Sequence, residues 1–170
     1  MAKALINIDY TIDFVAENGA LTCGVPGRNI EEEIASITKK FIENGDFVVF
    51  AVDLHKENDS FHPESKLFPP HNIEDTYGRN LYGKVANLYT EAVKNDKNVY
   101  WMDKTRYSAF AGTDLEIKLR ERQINELHLV GVCTDICILH TAIDAYNRGF
   151  QIFVHSSAVA SFNPTGHDWA

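Results

Sequence analysis

The chain has 170 residues, enough for one domain with a buried core and too few for two of ordinary size. Hydrophobic residues make up 45% and charged residues 24%, a balance that excludes collagen-like, coiled-coil and disordered chains. The net charge of −8 repels phosphate backbones and anionic lipid, which argues against nucleic acid and membranes as partners.

No apolar run approaches the ~20 residues of a bilayer crossing, and the opening MAKALINID lacks the apolar centre of a signal peptide, so a cytoplasmic protein is expected. No repeat, low-complexity tract or linker divides residues 1–170, which read as a single domain. Ala4 to Ile8 is a continuous apolar run ending in Asp9 and predicts a buried strand. Ile30, Ile34, Ile37 and Phe41 follow at helical spacing, with Asn44-Gly45 as a stop, and Phe47 to Val52 is a second strand ending in Asp53.

Residues 54–98 break this rhythm. They hold Pro63, Pro69, Pro70, His55, His62 and His71, and read as an insertion longer than a crossover needs, of the kind that carries function. Val99 to Met102 is a third apolar run, followed by Asp103 and Lys104. Thr113 and Glu116 have the spacing of a capping box for a helix reaching about Arg122. Leu127 to Val132 predicts a strand, Thr134 a cap for a helix that runs to Arg148 and stops at Gly149, and Gln151 to Val154 a last strand. Apolar strands alternating with helices place the chain in the α/β class. The expected fold has three layers, α/β/α, around a central, mostly parallel, doubly wound (Rossmann-like) sheet.

Ligands of such a sheet bind beyond the carboxyl ends of its strands, so the residues just after each strand are the first candidates for chemistry. These are Asp9, Asp53 with His55, Lys104, and the segment from Cys133 to Cys137. Cys23, Cys133 and Cys137 make no even disulfide framework. Cys137 falls in the first turn of the helix predicted to start at Thr134, where free N–H groups and the helix dipole favour a thiolate and therefore a nucleophile. Cys133 lies in the strand-to-helix bend and reads as a packing residue whose backbone N–H matters more than its sulfur.

Asp9 is a candidate proton acceptor if Lys104 at the same edge keeps it ionised. Asp53 and His55 point to one side of an extended segment, and His62, Glu64 and His71 follow. A carboxylate with several imidazoles suits Zn²⁺, Fe²⁺ or Mn²⁺, whereas unrelated polar residues on a surface loop would give the same composition. Phe14, Phe68 and Tyr107 flank these positions and could wall a flat ring, or simply belong to the core.

Five segments together carry a resemblance: INIDYTIDF at Asp9, AVDLH at Asp53 and His55, HPESKLFPPH from His62 to His71, WMDKTRYSAFAGTDL at Lys104, and GVCTDICILHTAIDAYNRG at Cys137. In this order they resemble the isochorismatase-like cysteine hydrolases and, within them, the nicotinamidases (pyrazinamidases). The resemblance implies a catalytic triad of Asp9, Lys104 and Cys137, and an oxyanion hole from the backbone N–H groups of Cys133 and Cys137. It implies a divalent metal, zinc first and iron or manganese as alternatives, held by Asp53, His55, His71 and Glu64, with His62 as rival for the fourth place. It also implies a cis peptide at Val132-Cys133, and Phe14, Phe68 and Tyr107 packed against the substrate ring. The reaction implied is hydrolysis of nicotinamide to nicotinate and ammonia through a cysteine thioester, a step of pyridine nucleotide (NAD) salvage. A homo-oligomer is left open.

Two departures stand out. The chain stops at His167-Asp168-Trp169-Ala170, where family members continue into a terminal helix, so a segment covering the sheet is expected to be missing. Cys133 stands where relatives carry a small or aliphatic residue, so a Cys133–Cys137 disulfide is expected under oxidation. Three rivals remain: a metal-independent isochorismatase-like or N-carbamoyl amide hydrolase, a non-catalytic metal-binding scaffold, and an aspartate-nucleophile phosphohydrolase built on Asp9 and Asp13.

Overall fold

The computed structural model describes residues 2–94 and 97–170; residues 95 and 96, near the end of the expected 54–98 insertion, and Met1 lie outside the described residues. Each apolar run forms a strand. β1 (Lys3–Ile8) is followed by two short helices, α1 (Ile12–Val15) and α2 (Gly24–Asn29), and by α3 (Glu31–Glu43), whose apolar residues Ile34 and Phe41 are buried. Asn44 and Gly45 end α3, Gly45 with φ of +72°, a conformation that suits the residue without a Cβ. β2 (Phe47–Asp53) is buried along its whole length.

The following span differs from the expected irregular insertion. Its last part is an ordinary crossover helix, α4 (Gly83–Ala92), so the irregular segment covers 54–82, with short helical turns at Pro63–Lys66 and Tyr77–Arg79. Then come β3 (Val99–Lys104), α5 (Leu115–Glu121), β4 (Glu126–Val132), α6 (Leu139–Asn147), β5 (Gln151–Ala160) and α7 (Pro164–Trp169). β5 is six residues longer than its apolar run at Gln151–Val154, continuing through a register shift opposite Leu129 and Gly131.

Two expected caps are used otherwise. The Thr113 hydroxyl accepts from the Leu115 N–H (3.3 Å) and donates to the Ala109 carbonyl (2.6 Å), so no capping box with Glu116 forms and α5 begins at Leu115. Thr134 does not cap a helix: its hydroxyl pairs with His167 Nδ1 at 2.7 Å, which ties α7 to the turn after β4. That turn, Thr134–Ile138, is wide, with the Ile138 N–H bonded to the Cys133 carbonyl five residues back (3.2 Å).

The five strands are all parallel, in the order β3-β2-β1-β4-β5, with the direction of winding reversing at β1. Leu5, Val48, Phe50, Val52 and Val130 face α3 and α4 on one side. Ile6, Ile8, Val49, Ala51 and Leu129 pack with Leu115, Leu119 and Ala145 of α5 and α6 on the other. β1 and β4 approach so closely at Gly131 that a Cβ there would sit 2.0 Å from the Ile8 carbonyl oxygen; its φ of +122° also needs glycine. The switch between β1 and β4 opens a crevice at the strands' carboxyl ends, where an open α/β sheet binds its ligands. No helix among the described residues is long and apolar enough to cross a membrane.

Candidate active site

Asp9, Asp53 and Lys104 end three neighbouring strands, and sheet register sets Asp53 directly beside Lys104. The Lys104 ammonium is fully buried and lies 2.7 Å from Asp9 Oδ2, 2.5 Å from Asp53 Oδ1 and 3.5 Å from Cys137 Sγ. Its remaining partner is the Arg106 carbonyl at 3.2 Å. Asp9 has φ of +55°, and its other oxygen accepts the Asp53 N–H at 2.8 Å. Two carboxylates and a thiol thus converge, and the cation among them is the lysine.

Burial works against the Lys104 charge but is outweighed by Asp53 and Asp9, which hold its pKa well above the usual value. Asp9 behaves differently: burial first, then the charge of Asp53, push its carboxyl up to about 6 against the pull of Lys104. Burial also pushes the Cys137 thiol well up, opposed by Lys104 and reinforced by Asp9 and Asp53. Burial beside two acids thus works against the thiolate that the helix-terminus argument favours. The sulfur lies buried beside two acids, and a nucleophile there needs a base to take its proton.

Asp53 also faces a second cluster. One donor atom each from Asp53, His55, Glu64 and His71 lie within 4.8 Å of one another, and all four side chains are buried. Asp53 Oδ2, His55 Nε2 and His71 Nε2 make no hydrogen bond. Buried polar atoms are seldom left so, because each forfeits its hydration, and two imidazoles with two carboxylates are a donor set that suits a divalent transition metal. His71 Nδ1 meets the Pro69 carbonyl at 2.8 Å and so carries the proton, which leaves the Nε2 lone pair facing the cluster. The residues present fit such an ion.

His62 stands apart from this set. Its Nε2 meets the Thr105 carbonyl at 2.7 Å and must donate, while Nδ1 accepts the Glu64 N–H at 3.3 Å. Both ring nitrogens are thereby used, and His62 orients the loop that presents Glu64. Arg79, which sequence reasoning does not single out, holds the end of β2: its guanidinium donates to the Asp53 carbonyl (2.7 Å), pairs with Asp103 and lies over the Trp101 ring. Beyond the cluster lies an open cleft of about 730 Å³.

A model of the isochorismatase domain matches residues 3–170. The chain belongs to the isochorismatase family. It is 68% identical, over all of its own length and 92% of the relative's, to a Bacillus subtilis (strain 168) protein named "uncharacterized isochorismatase family protein PncA". The crystal structure of nicotinamidase/pyrazinamidase PncA from Bacillus subtilis superposes with a TM-score of 0.97 at 69% identity, covering 99% of this chain and 92% of that one. The pyrazinamidase of Pyrococcus horikoshii in complex with zinc superposes with a TM-score of 0.84 at 27% identity, covering 99% and 92%.

In this isochorismatase-family frame the wall of the pocket beside Cys137 comes from Phe14, Leu21, Phe68, Tyr107, Ile136 and Phe162. Phe14 also sets its ring edge-on to His71 at 5.2 Å. Phe14, Phe68 and Tyr107 are the aromatics that flank the polar motifs in sequence; Leu21 and Phe162 lie in segments without a motif. The Val132-Cys133 peptide is cis. The Cys133 sulfur lies 3.2 Å from Cys23 Sγ, both thiols buried, so its thiol partner is Cys23 and not the expected Cys137. Asp9 and Asp13 also part company: Asp13 accepts backbone N–H groups of Asn72 and Ala20, and no paired-acid site forms for a phosphohydrolase.

Proposed function

We propose that the chain is a nicotinamidase, an amidohydrolase that converts nicotinamide, and its analogue pyrazinamide, to the carboxylic acid and ammonia. The observation that carries this reading is Lys104 Nζ within 3.5 Å of Asp9, Asp53 and the Cys137 thiol, with Asp53 shared by a four-donor cluster. The high identity to a protein solved as a nicotinamidase/pyrazinamidase supports the choice of substrate.

In this mechanism Asp9 takes the thiol proton as Cys137 Sγ attacks the carboxamide carbon. Lys104 limits the cost of negative charge as it moves between sulfur and carboxylate. The oxyanion is assigned to the backbone N–H groups of Cys133 and Cys137, at the start and in the body of the wide turn. Such donors contribute ~3 kcal/mol each in other acyl-transfer enzymes. Asp9 returns its proton to the departing ammonia, then draws one from the water that opens the thioester and releases nicotinate. Phe14, Phe68 and Tyr107 hold the ring against the sulfur, with water entering only to open the thioester.

Asp53, His55, Glu64 and His71 would hold one divalent cation, with zinc preferred and Fe²⁺ or Mn²⁺ as alternatives. When bound, it would supply a Lewis-acidic point for the ring nitrogen. A metal-independent amide hydrolase would leave three buried polar atoms of that set without partners, which disfavours the alternative. The product acid suits salvage of pyridine nucleotides in the cytoplasm.

The test is ammonia release from nicotinamide before and after chelation, with Zn²⁺, Mn²⁺ and Fe²⁺ restored separately. Release that is lost with the metal and regained supports the whole reading. Release that survives full removal keeps the thiol chemistry and discards the metal's role; no release with any metal overturns the substrate.

A further inference from the structure

His71 follows Pro69 and Pro70 in a segment with no strand or helix of its own, yet its Nε2 lies 3.6 Å from Glu64 Oε2 and its ring centroid 4.5 Å from that of His55. Metal ligands need their spacing held to about 0.5 Å by surrounding bonds, so something must fix this segment. Asn72, the next residue, is fully buried and adopts φ of +44°, a left-handed conformation that Asn tolerates better than most side chains.

Three of its groups are engaged at once. Its N–H donates to Asp13 Oδ2 at 2.8 Å, and its side-chain Oδ1 accepts the Thr11 hydroxyl at 2.9 Å. Its carbonyl accepts the His55 N–H at 3.1 Å, and the His55 carbonyl accepts the Glu74 N–H at 2.8 Å, which forms a lone bridge between the His55 and Ile73 segments. The two imidazole-bearing segments are therefore joined through Asn72, and Asn72 is anchored on the loop after β1.

Asp13 is itself seated closely. Its carboxylate lies against Gly78, where a Cβ would come within 2.2 Å of Oδ1, so a side chain at that position would have to displace it. The same short helix, α1, carries Phe14, whose ring meets His71 edge-on. One helical turn thus fixes both the His71 backbone and one wall of the ring pocket.

We propose that Asp13 is a positioning residue for the metal, acting with Thr11 through Asn72 to hold His71 and His55 at ligand spacing. The inference rests on the metal site proposed above. Asp13 touches neither ion nor substrate and acts only through backbone groups, so its loss should weaken metal binding while the Cys137 cluster stays intact. A residue that merely staples the loop would lower thermal stability and leave metal affinity alone.

The experiment is competition between the protein and a zinc-binding dye, which gives the Zn²⁺ dissociation constant for wild type, Asp13→Ala, Asp13→Asn, Thr11→Val and Glu64→Gln. Alkylation of Cys137 by iodoacetamide, mapped by mass spectrometry on metal-free protein, runs beside it. Outer-shell partners of metal ligands are typically worth 10–100-fold in affinity. Asp13→Ala should weaken zinc by about 10-fold or more, and Thr11→Val, a milder change that keeps shape, by about 3-fold. Asp13→Asn, which retains an acceptor, should recover most of the loss, with Cys137 alkylation within about twofold of wild type throughout. Unchanged zinc affinity in Asp13→Ala and Thr11→Val, beside a clear loss in Glu64→Gln, overturns this role alone. Wild type that binds no zinc, or Glu64→Gln that binds as well as wild type, overturns the metal site itself and this inference with it. If Asp13→Ala does not fold, Thr11→Val decides.

Discussion

The Lys104 cluster and the His71 cluster share Asp53 but are held by different means. Asp9, Asp53 and Lys104 are spaced by the hydrogen-bond register of three adjacent parallel strands, and Cys137 comes from the turn after a fourth. The positions of His55, Glu64 and His71 depend on a loop held by isolated bridges at His55–Ile73 and Thr11–Leu81, short helical turns at Pro63–Lys66 and Tyr77–Arg79, and side-chain bonds. Charges that meet within 3 Å in the interior are placed by the hydrogen-bonded register of the sheet. Donors that would close around an ion come from a segment with no strand of its own, held by the side-chain and backbone bonds gathered at Asn72.

The largest effect on that comparison is expected at its sheet-built side. Cys137→Ala removes the only sulfur within reach of Lys104 among the described residues and should lower turnover by at least ~10⁴-fold, with nicotinamide binding still measurable by calorimetry. An active Cys137→Ala enzyme would sink the mechanism. Lys104→Met should follow: it leaves the buried carboxyls of Asp9 and Asp53 without their cation, and breaking a buried pair in this way costs about 3–5 kcal/mol. Denaturant unfolding would show it, and a partial recovery in the double variant Lys104→Met, Asp9→Asn would tie the loss to the unpaired acid. A Lys104→Met protein as stable as wild type would mean that the cluster is not the rigid part.

On the loop side, Glu64→Gln and His62→Gln separate ligand from support. Glu64 faces the orphaned imidazole nitrogens, whereas His62 has both ring nitrogens bonded to backbone. Zinc affinity should fall by 100-fold or more for Glu64→Gln and by about 10-fold for His62→Gln, outer-shell losses being typically 10–100-fold. The reverse order, read by dye competition, would exchange their roles.

How much of this was legible in the chain follows the same division. Strand ends announce themselves, because an apolar run that stops at Asp9, Asp53 or Lys104 marks the edge where an α/β sheet keeps its chemistry. That Asp53 pairs with Lys104 as well as Asp9 does depends on β2 and β3 being neighbours, which no local pattern reveals. In the loop, His62 and Glu64 are two residues apart and both are donors by type; only the hydrogen bonds of the His62 ring decide between them. Thr134 misleads because its hydroxyl has the sequence position of a cap but is taken by His167, thirty-three residues away in the chain. Leu21 and Phe162 reach the pocket from segments whose composition carries no signal.

Cys133 belongs to neither region and tests the boundary between them. Its backbone is assigned to the oxyanion turn, while its sulfur points into the core face beside Cys23 at 3.2 Å, far along the chain from the motif that holds it. A hydroperoxide that oxidises two thiols to a disulfide is itself reduced, in the case of hydrogen peroxide to two waters, and the sulfurs joined are those already in contact. Peptide mapping of peroxide-treated protein should therefore find Cys133 linked to Cys23, with Cys137 modified separately. A Cys133–Cys137 link would show that the turn after β4 rearranges more readily than its packing implies. Cys23→Ala, which deletes one buried thiol outside the proposed machinery, should cost only about 1 kcal/mol, or 2–4 °C in melting temperature, and leave kcat within twofold. A larger loss of activity than of stability in Cys23→Ala would mean that the core face behind Cys133 sets the position of its N–H, and that the sheet-built side of the site extends one layer deeper than the strand ends.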